Sequence, residues 1–341
     1  MFRSAANPII RLAVFPVLLL FYLQHSGASM AILAPIFTVI FLTLMPSKPP
    51  LNLLLKLLLV LLFVSFVLVF IGEVLQDTPT GYALFCWSLF FWSYYRSHND
   101  PKDIIATLTL IVVIIMTVMN FQMGAQIDVL PWLMFKDFVI AIVVTYISFL
   151  LFPGDQKDIL MDETSKEGAQ TNIGLIMFKA TAMCLVMVVL MGIGSTQTML
   201  ITITISSMIM IPIADDHRTY SQNKIITTVL GICFTLPVMF LFMFGVSTWM
   251  LIGVTVFCAF QLACYAIRSQ CRSSIYQLMF TNFVVLTYQV IKHQGTASLS
   301  AEFLRLLSIA IAILVGALIL NLTKHVAVPL VKEPPTPQAD K

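Results

Sequence analysis

Charge is what this chain of 341 residues has least of. Only 10% of it is Asp, Glu, Lys or Arg, against about 25% in an ordinary soluble domain, while 59% is hydrophobic. A water-facing surface cannot be covered by 19 basic and 16 acidic side chains, which excludes a soluble enzyme and makes lipid the solvent. The net charge of +3 is small and the basic residues sit at the ends of apolar runs, so nucleic acid is excluded as a partner. Six cysteines (Cys86, Cys184, Cys233, Cys258, Cys264 and Cys271) have no metal-ligand spacing and read as buried thiols rather than a disulfide framework or zinc site. Also missing are a G-x-x-x-x-G-K-[ST] loop to cradle nucleotide phosphates, an H-E-x-x-H pair and a G-x-S-x-G elbow. The chain is therefore not expected to be its own ATPase or an enzyme of another kind, and no cofactor is expected. The acids map to loops and helix ends, which leaves no carboxylate at mid-membrane for a deep proton relay.

What the sequence has is apolar runs. Crossing a ~30 Å hydrocarbon core takes about 17 to 25 residues. Candidate spans fall at Leu12–Leu23, Met30–Leu44, Leu51–Ile71, Gly81–Tyr95, Ile104–Phe121 and Trp132–Phe152. Six more follow at Ile173–Ile193, Met199–Ile213, Ile225–Phe244, Trp249–Ile267, Ile275–Ile291 and Phe303–Leu322. Lys and Arg near helix ends stay cytoplasmic. With the N-terminus inside and twelve spans, only Lys136, Lys292 and Arg305 of the 19 basic residues lie outside.

The chain also repeats. Arg11 recurs as Lys179 and Lys56 as Lys224 at an offset of 168; Phe85-Cys86 recurs as Phe257-Cys258 and Arg96-Ser97 as Arg268-Ser269 at 172. Lys136 aligns with Arg305 and Ile140-Ala141-Ile142 with Ile309-Ala310-Ile311 at 169. The expected fold is an all-α integral membrane protein of twelve transmembrane helices in two parallel six-helix repeats, with both termini cytoplasmic. The expected divisions are a first repeat over 1–153, an acid-rich cytoplasmic linker over 154–172, a second repeat over 173–325 and a disordered Pro-rich tail over 326–341. Arg3, Arg11 and the run after them imitate a secretory signal, but the second copy of the same helix pair argues that the first helix is retained.

Two features point to a solute site. Between Arg11 and Gln24 there is room for about a dozen apolar residues, ~18 Å of helix, before Gln24-His25-Ser26-Gly27-Ala28-Ser29 interrupts. Gly192-Ile193-Gly194-Ser195-Thr196-Gln197-Thr198 interrupts the second copy. Short, Gly-broken segments at matching places in two halves mark transport sites, where helix ends offer N–H groups to an anion. The other reading is a tight turn at the outer surface, with the helices beginning earlier, at Pro8 and Ile173. The candidate binding residues on this feature are Gln24, His25, Ser29, Ser195, Thr196 and Gln197. The second feature is charge inside a span, which is costly and tends to be functional. Lys136 and Asp137 lie just over one turn into the sixth run, and Arg305 matches Lys136 in the twelfth. Lys136 and Arg305 would attract an organic anion, and Asp137 would carry a proton; snorkelling basic chains with a neighbouring acid account for the same residues. Pro16, Pro35 and Pro237 are expected to kink their helices.

Two six-helix sets, each opening with a basic residue (Arg11, Lys179), a polar Gly/Ser turn and a second helix closing at Pro46 or Pro212, resemble the fusaric acid resistance and aromatic acid exporter superfamily. The likeness is to its short members, since the large cytoplasmic domains that follow each block in bigger relatives have only 154–172 and the tail in their place. The resemblance implies a secondary transporter in the inner membrane of a Gram-negative bacterium. It would export aromatic carboxylic acids or related amphipathic toxic compounds, driven by the proton gradient and working with a periplasmic membrane-fusion adaptor. Plant relatives of similar architecture are organic-anion channels, so a passive channel is the alternative, and assembly into a homo-oligomer stays open.

Overall fold

The computed structural model describes residues 6–44, 50–75, 78–100, 103–122, 128–154, 173–194, 197–210, 214–293 and 297–326; within these, the side chains of residues 44, 214–220, 293, 297–303, 305 and 323–326 are not described. The body of the linker, the tail, Pro46, Pro212, Ser195 and Thr196 lie outside the described residues, as does the side chain of Arg305.

The described residues form twelve α-helices: α1 (Asn7–His25), α2 (Leu33–Leu44), α3 (Leu51–Val74), α4 (Pro79–Asn99), α5 (Ile104–Phe121), α6 (Leu130–Leu151), α7 (Ile173–Ile193), α8 (Thr198–Met210), α9 (Ala214–Met243), α10 (Thr248–Arg268), α11 (Ser273–His293) and α12 (Ala297–Val326). Each expected run corresponds to one helix, and two of them, Ile104–Phe121 and Ile173–Ile193, end on the same residues. Seven of the described helices are long and apolar enough to cross a membrane: α1, α3, α5, α6, α7, α10 and the part of α9 from Ser221. They are the helices of a multi-pass membrane protein. α2 and α8, with 12 and 13 residues, reach only about 18 to 20 Å.

The first helix is longer than its apolar run. Pro8, whose missing N–H costs nothing in a first turn, starts it early, and its 19 residues extend about 28 Å. That is about 10 Å longer than the count from Arg11 to Gln24 suggested. Its end is a Schellman turn: Gly27 N–H donates to the Gln24 carbonyl at 3.2 Å and Ala28 N–H to Leu23 at 3.0 Å, with Gly27 at φ 70°. Gly194 closes α7 in the same left-handed conformation, at φ 69°. The polar break after α1 therefore satisfies its own carbonyls instead of leaving them open at depth. Pro35 falls in the first turn of α2, where no helical N–H is required, so its position gives no reason for a kink. Pro16 and Pro237 do sit inside helices.

Packing crosses between the halves of the sequence. α2 packs on α6 and α8 on α12; α3 on α5 and α9 on α11; α3 on α6 and α9 on α12. Between halves, α1 packs on α10 while α7 packs on α4, and α2 packs on α11 while α8 packs on α5. Every one of these pairs has its counterpart six helices along. The core follows the exchange. Leu54, Leu61, Phe90, Tyr94, Val113 and Ile114 are buried in one cluster with Ile176, Ala180, Met183, Ile201 and Ile205. A second cluster joins Leu12, Val17 and Leu20 of α1 to Leu251, Leu262, Tyr276, Phe280 and Phe283. All six cysteines are free. Cys86 and Cys258 are buried, but Cys233 and Cys264 are exposed on the bundle exterior, where a thiol is apolar enough to face lipid.

Candidate functional site

Consecutive helix residues point about 100° apart, and α6 uses that angle to separate a cation from an acid. Lys136 is exposed while Asp137 is 5% exposed. One carboxylate oxygen of Asp137, Oδ2, is fully buried and has no hydrogen-bond partner. The next residue, Phe138, fixes this face of α6 against α2 by edge contacts to Phe37 and Phe41, with ring centroids 5.1 and 5.2 Å away. A buried carboxyl with an uncommitted oxygen costs free energy unless it is protonated or meets a ligand. This site can therefore hold a proton.

The turn after α1 lies beside the same part of α6. Leu19, Leu23, Ala31 and Ala34 form a small cluster against which Ala28, Ile140 and Val144 pack, joined by Tyr288 of α11. Ile140 is one turn beyond Asp137, so the fold brings the Gln24–Ser29 segment next to the Lys136–Asp137 end of α6. Within the segment Gln24 is half-buried, whereas His25 and Ser29 are exposed. In the second half Gln197 is half-buried, and Thr198 begins α8 with its hydroxyl donating to Leu190 at 3.3 Å. Arg305 lies in α12.

At the other end of α1 the fold uses a cation that reads in the sequence as an anchor for topology. Arg11 is 2% exposed; its Nη1 donates to the carbonyls of Phe152 and Gly154, both at 2.9 Å, and its guanidinium lies 3.8 Å from the centre of the Phe149 ring. Asn7 adds a bond from Nδ2 to the Pro153 carbonyl at 2.7 Å. These carbonyls close α6, where the helix dipole is negative and a cation is favoured. The matching Lys179 on α7 is also 2% exposed.

A polar face on α4 is the feature that sequence reading passed over. Ser93, Tyr94, Ser97 and His98 are all buried, spaced so that 93 and 97, and 94 and 98, stack one turn apart. Tyr94 Oη shares a hydrogen bond with Ser206 Oγ of α8 at 3.3 Å. Ser93 Oγ and both ring nitrogens of His98 are without partners. The i, i+4 pairing was the available signal, hidden by the position of His98 at a helix end, which usually means exposure. Among the described residues no group of three or more His, Cys, Asp or Glu could hold a metal ion.

A family model described as a protein of unknown function (DUF2955) matches residues 8–148. The match runs from the start of α1 into the last turn of α6. No curated protein matches the chain, and no solved structure does. The matched stretch holds Arg11, the turn after α1, the polar face of α4 and the Lys136–Asp137 pair.

Proposed function

We propose that this chain is a secondary transporter that exports aromatic carboxylic acids or related amphipathic toxic compounds across a bacterial inner membrane. In this reading all twelve helices cross the bilayer as two parallel six-helix repeats, with both termini cytoplasmic. The packing supports the repeat, because the contacts of α2 with α6, α3 with α5 and α6, α1 with α10 and α2 with α11 each have a counterpart six helices along. The basic residues support the orientation, since it leaves only Lys136, Lys292 and Arg305 outside. Solute choice rests on the resemblance to aromatic acid exporters, together with Lys136 and Arg305 as outer cations. The periplasmic membrane-fusion adaptor rests on the resemblance alone.

The single observation that carries the transport reading is the buried Asp137 carboxyl with its partnerless oxygen, next to the exposed Lys136. An ionisable group is retained inside a membrane helix at a cost of several kcal/mol only where something uses it. Its use here is to take up and release a proton as solute passes the Gln24–Ser29 turn.

The test is uptake of radiolabelled 4-hydroxybenzoate into inverted membrane vesicles with and without an imposed pH gradient. Accumulation that collapses with the gradient is expected. Flux that follows only the solute's own electrochemical gradient would make the protein an organic-anion channel. Silence with the adaptor supplied would sink the transport reading.

A further inference from the structure

α10 carries a polar amide on the outside of the bundle. The helix is long and apolar enough to cross a membrane, and Gln261 is exposed on it, thirteen residues after Thr248 and seven before Arg268. At 1.5 Å per residue its Cα lies about 20 Å from one end of the helix and about 10 Å from the other, inside the hydrocarbon. A lysine or arginine at that depth reaches the headgroups on its long stem. Gln261 does not, because helix side chains lean toward their own N-terminus, and for this residue that is toward the middle of α10. It makes no hydrogen bond to any described residue. An unpaired amide in lipid is costly, with two N–H donors and a carbonyl left unsatisfied. The residues around it form a continuous face. Met250, Phe257 and Cys264 recur every seven residues, Gly253 and Arg268 extend the stripe, and all five are exposed. A Cβ on Gly253 would meet nothing within 4 Å, so the backbone of α10 is open to close approach there. The other side of the helix, with Leu251, Thr255, Leu262 and Ala266, is buried where α10 packs on α1, α9 and α11. A seven-residue apolar repeat with a small residue and an amide is how helices pair in membranes, where burial of apolar surface alone drives nothing together.

We propose that this face of α10 is the contact between two copies of the chain, with Gln261 hydrogen-bonded to Gln261 of the partner subunit. Two copies in one bilayer share an orientation, so a two-fold axis along the membrane normal sets α10 parallel to its own copy and brings each residue of the face opposite itself. A glutamine is self-complementary in that arrangement, because each amide donates an N–H to the carbonyl of the other. A partner of different sequence would need a matching amide at the same depth; a second copy supplies it by symmetry. Gly253 lets the two backbones approach, and Cys264 and Phe257 fill the contact on either side of the amides. Arg268 stands at the helix end in the headgroup layer, where lipid phosphates separate the two like charges. The inference depends on α10 crossing the bilayer and not on the transport reading.

The test is energy transfer between copies of the full-length protein carrying donor or acceptor fluorophores at the C-terminus, reconstituted in phosphatidylethanolamine–phosphatidylglycerol vesicles and followed as lipid is added. A dimer that dissociates on dilution is expected. Gln261→Leu should raise its dissociation constant about tenfold, the loss of a reciprocal pair of hydrogen bonds between membrane helices, and Gln261→Asn should raise it less. Leucine is at home in lipid, so the leucine variant keeps its fold, checked by monodispersity on size exclusion. Cys264 reports which face is in contact. In a Cys233→Ser background, copper phenanthroline is added to the membranes; two Cys264 thiols give up two protons and pass two electrons to copper(II), joining as one S–S bond. A covalent dimer on a non-reducing gel is expected, and it should vanish with Cys264→Ser. Absence of energy transfer at the lowest lipid dilution overturns the proposal, as does a dissociation constant for Gln261→Leu within twofold of wild type. A dimer that forms without the Cys264 crosslink puts the contact on another face and overturns it as well.

Discussion

Arg11 donates a 2.9 Å hydrogen bond to the carbonyl of Phe152, 141 residues away in sequence. The bond ties the first turns of α1 to the C-terminus of α6, and the second bond to Gly154 fixes how the chain leaves the helix. Hydrogen bonds from a charged donor are the stronger kind, and here they meet carbonyls that no helical N–H can reach.

Truncating that guanidinium leaves two carbonyls and the Phe149 face uncovered. Arg11→Ala is expected to cost roughly 3 kcal/mol, two charge-assisted bonds at the low end of their range. It should lower the apparent melting temperature in fluorescence-detected size exclusion. Arg11→Lys should fall between, because an ammonium lacks the planar fork that serves two acceptors together. A melting point equal to wild type for Arg11→Ala would show that the clamp contributes nothing.

α9 and α11 are pinned by a smaller device. Asn282 Nδ2 donates to Thr227 Oγ1 at 3.3 Å and to Thr228 Oγ1 at 3.2 Å, while each threonine spends its own proton on the Lys224 carbonyl. Donors and acceptors therefore balance. Hydrogen bonds between membrane helices average only about 0.6 kcal/mol, so Asn282→Leu should lose less than about 2 kcal/mol in a reversible unfolding titration. Thr227→Val should be non-additive with it, since both remove the same contact.

Glycine matters where helices touch most closely. A Cβ on Gly231 would sit 3.0 Å from Leu286 Cδ1 and 3.3 Å from Asn282 Cβ. On Gly316 it would sit 2.7 Å from the Met208 sulfur, the flexible part of a side chain that can move aside. Gly316→Ala should be tolerated, whereas Gly316→Val and Gly231→Val should push α12 from α8 and α9 from α11. The readout is the yield of monodisperse protein. Intact yield for both valine variants would contradict the close packing.

The turns after α1 and α7 make a contrasting case. Nothing lies within 4 Å of a Cβ on Gly27 or Gly194, so the cost there is in the backbone alone. Ala at either position should cost about 1 to 2 kcal/mol, and Asn less, because asparagine tolerates the left-handed conformation. Equal melting points for the Ala and Asn variants would count against this.

For the transport reading, Asp137→Asn should abolish accumulation driven by the pH gradient and leave downhill flux, measured in the same vesicles. The double replacement of Lys136 and Arg305 by Gln should lower hydroxybenzoate flux by slowing anion capture, with an effect that grows at low ionic strength. Flux unchanged in a correctly inserted double variant would leave the two cations as snorkelling anchors.

Hydropathy and punctuation in the sequence determined the helices. Twelve apolar runs bounded by Pro, Gly and charged residues correspond to twelve helices among the described residues, because a helix satisfies the backbone of an apolar segment within the segment itself. Local spacing exposed Lys136 and Asp137 as charges inside an apolar run. What apolar runs cannot encode is which neighbour each helix takes, since in lipid one leucine face resembles another. Tertiary packing decided that α1 joins α10 and α11 while α7 joins α4, an exchange that no division of the sequence at 154–172 predicts. It also decided the role of Arg11 and the burial of His98. Both stand at helix ends, where a polar residue ordinarily meets water; each is buried because a helix from elsewhere in the chain packs over it, and only long-range packing can place that helix.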